Sequence, residues 1–240
     1  MGSIYVVRHG QAAFGTEHYD RLTEVGFVQS RLLGAHLGAR RLCFDAIFTG
    51  TLQRQIETAR GILEGHPELG LDVPQERFTG LDEYRTEAVV TAHLGADPPR
   101  GSPLRGSPPA EAAARRDPAV VREHFRALRE ALLAWAADRT KPLGMPTFAV
   151  FQEQAVAALI EARTRFPDGN VLVVSSGGPI AAMVAAVLNA PPASAIELNM
   201  RIRNSSLSEF AATPRRHHLV SYNAVPHLDT HPDRSLITYA

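Results

Sequence analysis

Arg8-His9-Gly10 follows directly on the apolar run Ile4 to Val7, which sets an imidazole beside a guanidinium at the end of a buried strand. That pairing suits attack on a phosphate ester, because the nucleophile and its anion clamp arrive together. Three further stretches carry complementary side chains. Thr49-Gly50-Thr51-Leu52-Gln53-Arg54 brings a second guanidinium onto a helix start, and Leu81-Asp82-Glu83 brings carboxyls able to give and take a proton. Ser175-Ser176-Gly177-Gly178 brings hydroxyls and glycine amides to a strand-to-helix junction.

Phosphoryl transfer from a monoester requires neutralised equatorial oxygens, an in-line nucleophile and an acid for the departing oxygen. Arg8 and Arg54 fit the clamp, being planar, bidentate and permanently charged. His9 fits the nucleophile, provided that a hydrogen bond at its second nitrogen fixes the neutral tautomer. Asp82 and Glu83 are the two carboxyls able to serve as the acid. Ser176 offers a neutral donor, and the amides of Gly177 and Gly178, in a helix opened by Pro179, are placed to bind an anion. The sequence has no phosphate-binding lysine loop and no metal-ligand cluster, so neither metal nor other cofactor is expected and arginines take the place of magnesium.

Each residue also has an ordinary alternative. Arginine makes up 24 of the 25 basic residues, Lys141 being the exception, so Arg8 and Arg54 are singled out by context and not by type. A helix-surface arginine, a solvated loop carboxylate and a structural histidine are the plain readings of Arg54, Glu83 and His9. A serine nucleophile at Ser176 is disfavoured, because a strand-to-helix elbow wants glycine two residues earlier and Val174 stands there.

The elements that must hold these residues alternate. Ser3 to Val7, Ala46 to Thr49 and Asn170 to Val174 read as buried strands. Helices are expected over Glu24 to Ala39, with the stripe Val25, Val28, Leu32, Ala35 and Leu37, over Leu52 to Leu63, over Phe148 to Phe166 capped by Thr147, and over Pro179 to Leu188. Ser205 to Phe210 and His218 to Asn223 read as final strands. Such alternation predicts an α/β fold, a mostly parallel central sheet covered on both faces, with ligands beyond the strands' carboxyl ends. One domain over 1–240 is expected.

Gly95 to Pro118 is crowded with Pro, Gly and Ser and reads as a loop. Beyond it Val121, Phe125, Leu128, Leu132 and Trp135 form an apolar helix face, turned either to the core or to a partner subunit, so the oligomeric state stays open. Residues 86–146 together read as a helical insertion over the site, whereas His227 to Ala240 lacks periodicity and goes unplaced.

With Leu22-Thr23-Glu24-Val25-Gly26, Gln29 and Thr58-Ala59 added to the motifs above, the chain resembles the histidine phosphatase superfamily, which includes phosphoglycerate mutases and acid phosphatases. The likeness runs over residues 3–85 and 170–223. It implies a three-layer α/β/α sandwich of phosphoglycerate mutase type, a phosphohistidine on His9 and a proton donor at Glu83. It also implies that Ser176 stands where the family carries its second catalytic histidine. A serine keeps a neutral donor and loses the charge, so catalysis is expected to be slowed and not abolished. His18, His93 and His227 are the histidines placed to substitute. Gln11 is read as a substrate contact, although Gln11 and Gly15 replace Glu and Asn of mutase relatives, which weakens the mutase reading. The expected function is a phosphatase acting on a small phosphorylated substrate. The alternatives are a degenerate phosphate-ester-binding or regulatory protein and, less favoured, a mutase.

Composition sets outer limits. The 240 residues carry 25 basic and 25 acidic side chains, so no broad positive field for nucleic acid exists. The 45% hydrophobic content contains no run long enough for a membrane span. No signal peptide is read, and Val6 stands where myristoylation of Gly2 wants Ser or Thr. The single Cys43 excludes an intrachain disulfide, fits a reducing cytoplasm and is expected to be a small buried hydrophobe.

Overall fold

The computed structural model describes residues 2–13, 20–70, 73–95 and 118–239. Strands β1 (Gly2–Arg8), β2 (Ala46–Thr49), β3 (Gln75–Arg77), β4 (Asn170–Ser175), β5 (Leu207–Ala212) and β6 (His217–Ala224) form one sheet in the order β3-β2-β4-β1-β5-β6. The first four run parallel, and β5 and β6 close one edge antiparallel. Short β3 went unread in the sequence because Gln75, Glu76 and Arg77 carry no apolar pattern.

Alternation along β1 sends Ile4 and Val6 to one face and Tyr5 and Val7 to the other. Helices α1 (Glu24–Ala39) and α2 (Gln53–Gly65) cover the Tyr5 and Val7 face through Leu33, Leu37 and Ile62. Helices α5 (Phe148–Arg165) and α6 (Gly177–Val187) cover the Ile4 and Val6 face through Ala158, Leu159, Ile180 and Val184. The result is a three-layer α/β/α sandwich. Helices α3 (Thr86–Leu94), α4 (Pro118–Ala136) and α7 (Pro192–Asn199) build a second cluster around Trp135. Trp135 is 1% exposed and donates its Nε1–H to the Pro146 carbonyl at 3.1 Å, so its ring belongs to the core. Phe125 packs partly buried against the same cluster.

Several sequence expectations are corrected. The α1 boundaries hold, but the helix buries Gly26, Gln29, Ser30, Leu33, Gly34, Leu37 and Gly38, and Val28 is 39% exposed. The reason is that α1 meets α2 backbone to backbone: a Cβ on Gly34 would lie 2.0 Å from the Ile62 carbonyl oxygen. Val25 and Leu32 instead cover Val225, Leu228 and Leu236 of the tail. That tail forms α8 (Pro226–Asp229) and a 3-10 turn at Arg234–Leu236. Helix α6 opens at Gly177, two residues before Pro179, which sits within a first turn whose amides have no intrahelical acceptor. Cys43 is exposed, because it lies in the turn before β2 and not in the core. Among the described residues no helix is long and apolar enough to cross a membrane. Gly15, His18, Val121's side chain and most of the Pro-rich stretch lie outside the described residues.

Candidate active site

The register pairs Arg8 with Ser175, so β1 and β4 end side by side at the carboxyl edge of the sheet. His9 extends this ladder: its N–H donates to the Ser175 carbonyl at 2.9 Å and its carbonyl accepts from the Ser205 N–H at 3.1 Å. Gly10 N–H donates to Thr58 Oγ1 of α2 at 2.9 Å, fixing the next residue as well. The imidazole, 4% exposed, has Nδ1 2.7 Å from the Gly10 carbonyl. A carbonyl only accepts, so Nδ1 bears the proton and the Nε2 lone pair is kept for reaction. Burial, then Arg54 and Arg8, hold the His9 pKa well below the usual histidine range, which keeps the ring neutral.

Arg54 lies in the first turn of α2, buried, with Nη1 2.9 Å from Asp20 Oδ1. Asp20 Oδ2 also accepts the Gln53 amide at 2.8 Å, so one carboxylate caps α2 and orients the guanidinium. Arg8 Nη1 donates to the carbonyls of Ile202 at 2.6 Å and Tyr239 at 2.5 Å. The strap that carries Tyr239 is stitched down by Gln29 Nε2, which donates to the Leu236 carbonyl at 2.7 Å, and by Thr238 Oγ1, which donates to Asn204 Oδ1 at 3.0 Å. Hydrogen bonds and a few apolar contacts at irregular spacing, Leu228, Leu236 and Ile237, hold this tail. That is why sequence periodicity could not place it.

The two neighbouring carboxylates separate clearly. Asp82 accepts from the Thr51 amide at 2.6 Å and the Thr51 hydroxyl at 2.5 Å, tying the α2 approach to its own turn. Glu83 lines the same cavity as Arg8 and His9. Burial raises its pKa above the ordinary carboxylate value, opposed by the Gly178 amide, by Arg54 and Arg8, and by the Tyr84 amide. Gly178 N–H donates to Glu83 Oε2 at 3.1 Å, so this helix-start amide serves the carboxylate and not a bound anion as its position suggested. Below, the Leu81 carbonyl accepts from Ser175 Oγ and Gln55 Nε2, both at 2.7 Å, which anchors the turn leading to Glu83.

Ser176 is fully buried, and its Oγ accepts from Gln55 Nε2 at 2.9 Å. It caps the start of α6 without a side-chain bond to the helix and lies beneath the cavity wall, as do Gly177 and Gly178. Gln11 also stays off that wall: its Oε1 accepts from Thr23 Oγ1 at 2.9 Å, so the side chain braces the α1 N-terminus. His93 is exposed at the end of α3. His227 is buried elsewhere, its Nε2 2.9 Å from Ser205 Oγ, and does not stand in for a second site histidine.

The cavity holds about 680 Å³ and reaches outward from His9 to α4, Asn199, Arg201 and Tyr239. Sequence reasoning missed Asp20, Gln55, Asn204 and these outer residues. The spacing Arg122, Arg126, Arg129 on one helix face was the readable signal for part of the outer wall.

A family model described as histidine phosphatase superfamily, branch 1, matches residues 4–99 and 109–225. YhfR of Bacillus stearothermophilus is 21% identical, with 95% of this chain and 99% of that one covered at a TM-score of 0.62. A phosphoserine phosphatase of Entamoeba histolytica, solved with phosphoserine, is 16% identical over 95% and 100% of the two chains at a TM-score of 0.62. A mycobacterial glucosyl-3-phosphoglycerate phosphatase is 23% identical over 92% and 98% at a TM-score of 0.58.

Proposed function

Since the chain belongs to the histidine phosphatase superfamily, we propose that it is a cytoplasmic, metal-independent phosphatase that hydrolyses a small phosphomonoester through a phosphohistidine on His9. One observation carries this reading: Nδ1 of His9 is committed to the Gly10 carbonyl, which leaves Nε2 as a neutral nucleophile at the floor of a cavity shared with Glu83, whose pKa burial raises.

The His9 Nε2 lone pair forms the bond to phosphorus as the ester P–O bond breaks, and the Glu83 carboxyl gives its proton to the leaving oxygen. Arg8 and Arg54 offset the charge spread over the phosphoryl oxygens. Water then attacks the phosphohistidine while the Glu83 carboxylate takes its proton, releasing phosphate and restoring His9. Ser176 is buried off the cavity wall with its Oγ held by Gln55, so it gives the phosphoryl group no second donor. Lacking one transition-state donor slows such chemistry by about a hundredfold to a thousandfold.

The test is phosphate release from a panel of monoesters in the presence of a chelator, with an alkaline quench to capture the intermediate. Wild type should release phosphate and yield a phosphorylated His9 peptide, and His9→Ala should do neither. Equal release by both proteins would refute the reading. Calorimetric binding of esters with no release by the wild type would favour the ester-binding alternative.

A further inference from the structure

We propose that the outer half of the cavity is a second anion subsite, and that the substrate is a phosphomonoester carrying another anionic group, a carboxylate or a second phosphate, on its leaving-group side. The proposal rests on the phosphatase reading for the orientation of the ligand, with the reacting phosphoryl group at His9.

Helix α4 presents Arg122, Arg126 and Arg129 to the cavity, with Arg201 facing them from the segment after α7. The helical rise puts Arg122 and Arg126 about 6 Å apart along the axis, so both can reach one ligand. Arg129 is answered by Glu197, which it contacts through both Nε and Nη2. Among the described residues no carboxylate lies within ion-pair distance of Arg122, Arg126 or Arg201. A chain with 25 acidic and 25 basic residues has acids enough to neutralise them. Three like charges around one concavity repel each other and focus a positive potential, which an anion relieves. Guanidinium forks suit carboxylate and phosphate alike.

At about 680 Å³ the cavity is several times larger than inorganic phosphate needs and falls in the range of sites for small organic ligands. Phe125 and Leu128 of the same helix also line the cavity, so the ligand meets apolar surface there as well as charge.

The experiment compares phenyl phosphate with its carboxymethyl and phosphonomethyl ring derivatives, whose reacting esters are nearly identical. In wild type the anionic esters should exceed phenyl phosphate in kcat/KM by about tenfold, the yield of two partly solvated ion contacts. Added salt should shrink that ratio. Arg122→Gln combined with Arg126→Gln should bring it close to one, while Arg60→Gln, remote on α2, should leave it unchanged. A larger ratio for the phosphonate identifies a second phosphate, and equal ratios identify a general anion. A wild-type ratio of one, or a ratio preserved in the double variant, overturns the proposal. If wild type hydrolyses no ester, the phosphatase reading fails separately, and dissociation constants for the same three ligands decide the subsite by the same ratio.

Discussion

Gly178→Ala tests whether Glu83 works from the position in which α6 holds it. A Cβ added at Gly178 would stand 2.2 Å from Glu83 Oε1 and 2.7 Å from two Tyr84 ring carbons. Real Cβ contacts almost never fall below 3.0 Å, so the carboxylate must retreat by about 1 Å. The nearest obstacle is the end of a flexible side chain, so Glu83 moves most, while the Tyr84 ring must give by a further few tenths of an ångström. Its bond from the Gly178 amide, 3.1 Å long, is then lost. A displacement of about 1 Å at a reacting group costs on the order of 100-fold in rate. Steady-state kinetics on two esters reads this directly: kcat for an alkyl phosphate, whose departing oxygen needs the proton, should fall about 100-fold, and kcat for p-nitrophenyl phosphate much less. The melting temperature should change by no more than a few degrees. Equal losses on both esters, or wild-type rates on both, would refute Glu83 as the acid held by α6.

Two further outcomes follow from titrating groups. Glu83 has a raised pKa and stays protonated to higher pH, while His9 has a lowered pKa and stays neutral to lower pH, so kcat/KM should peak between them; Glu83→Gln should remove the alkaline limb and lower the rate about 10²- to 10⁴-fold, and a limb that survives after correction for the ester's own titration would point to another acid. His227, pushed down to about 3 by burial, stays neutral in the fold while the unfolded chain protonates near 6.5, so its stability contribution is present above that value and is lost as pH falls. Urea unfolding at pH 7 and pH 5 should therefore show wild type losing about 2 kcal/mol more than His227→Gln, and equal losses would sink the argument.

The sequence and the fold agree best where local chemistry and packing want the same thing. β2 and α1 begin and end where their apolar runs and caps say, because Thr23 both ends the loop and accepts the Gly26 amide. The buried face of α1 was misread for the opposite reason: close backbone packing selects Gly26, Gly34 and Gly38, which have no apolar side chain to form a stripe. At the site, Arg8 and His9 could be picked out by type and order, whereas the preference for Glu83 over Asp82 rests in the sequence on the family resemblance alone; the structure adds that Asp82 is occupied by Thr51. Gly177 and Gly178 looked like an anion cradle because a glycine-rich helix start usually is one. Here the carboxylate of Glu83 takes that amide, a contact 95 residues apart in sequence that no local pattern encodes.

The place of β1 in the sheet bears on how the protein is made. Both neighbours of this strand, β4 and β5, come from the far end of the chain: Ser3 pairs with Asn170 and Ala211. For most of the chain's synthesis the segment ending in Arg8 and His9 has no ladder to join. Pairings of such long sequence separation close slowly, because loop entropy must be overcome before any contact rewards it. The helices α1 and α2, which pack on each other across a short connection, can form first. The reactive imidazole is thus among the last parts to be shaped, and a partly built chain has no armed nucleophile.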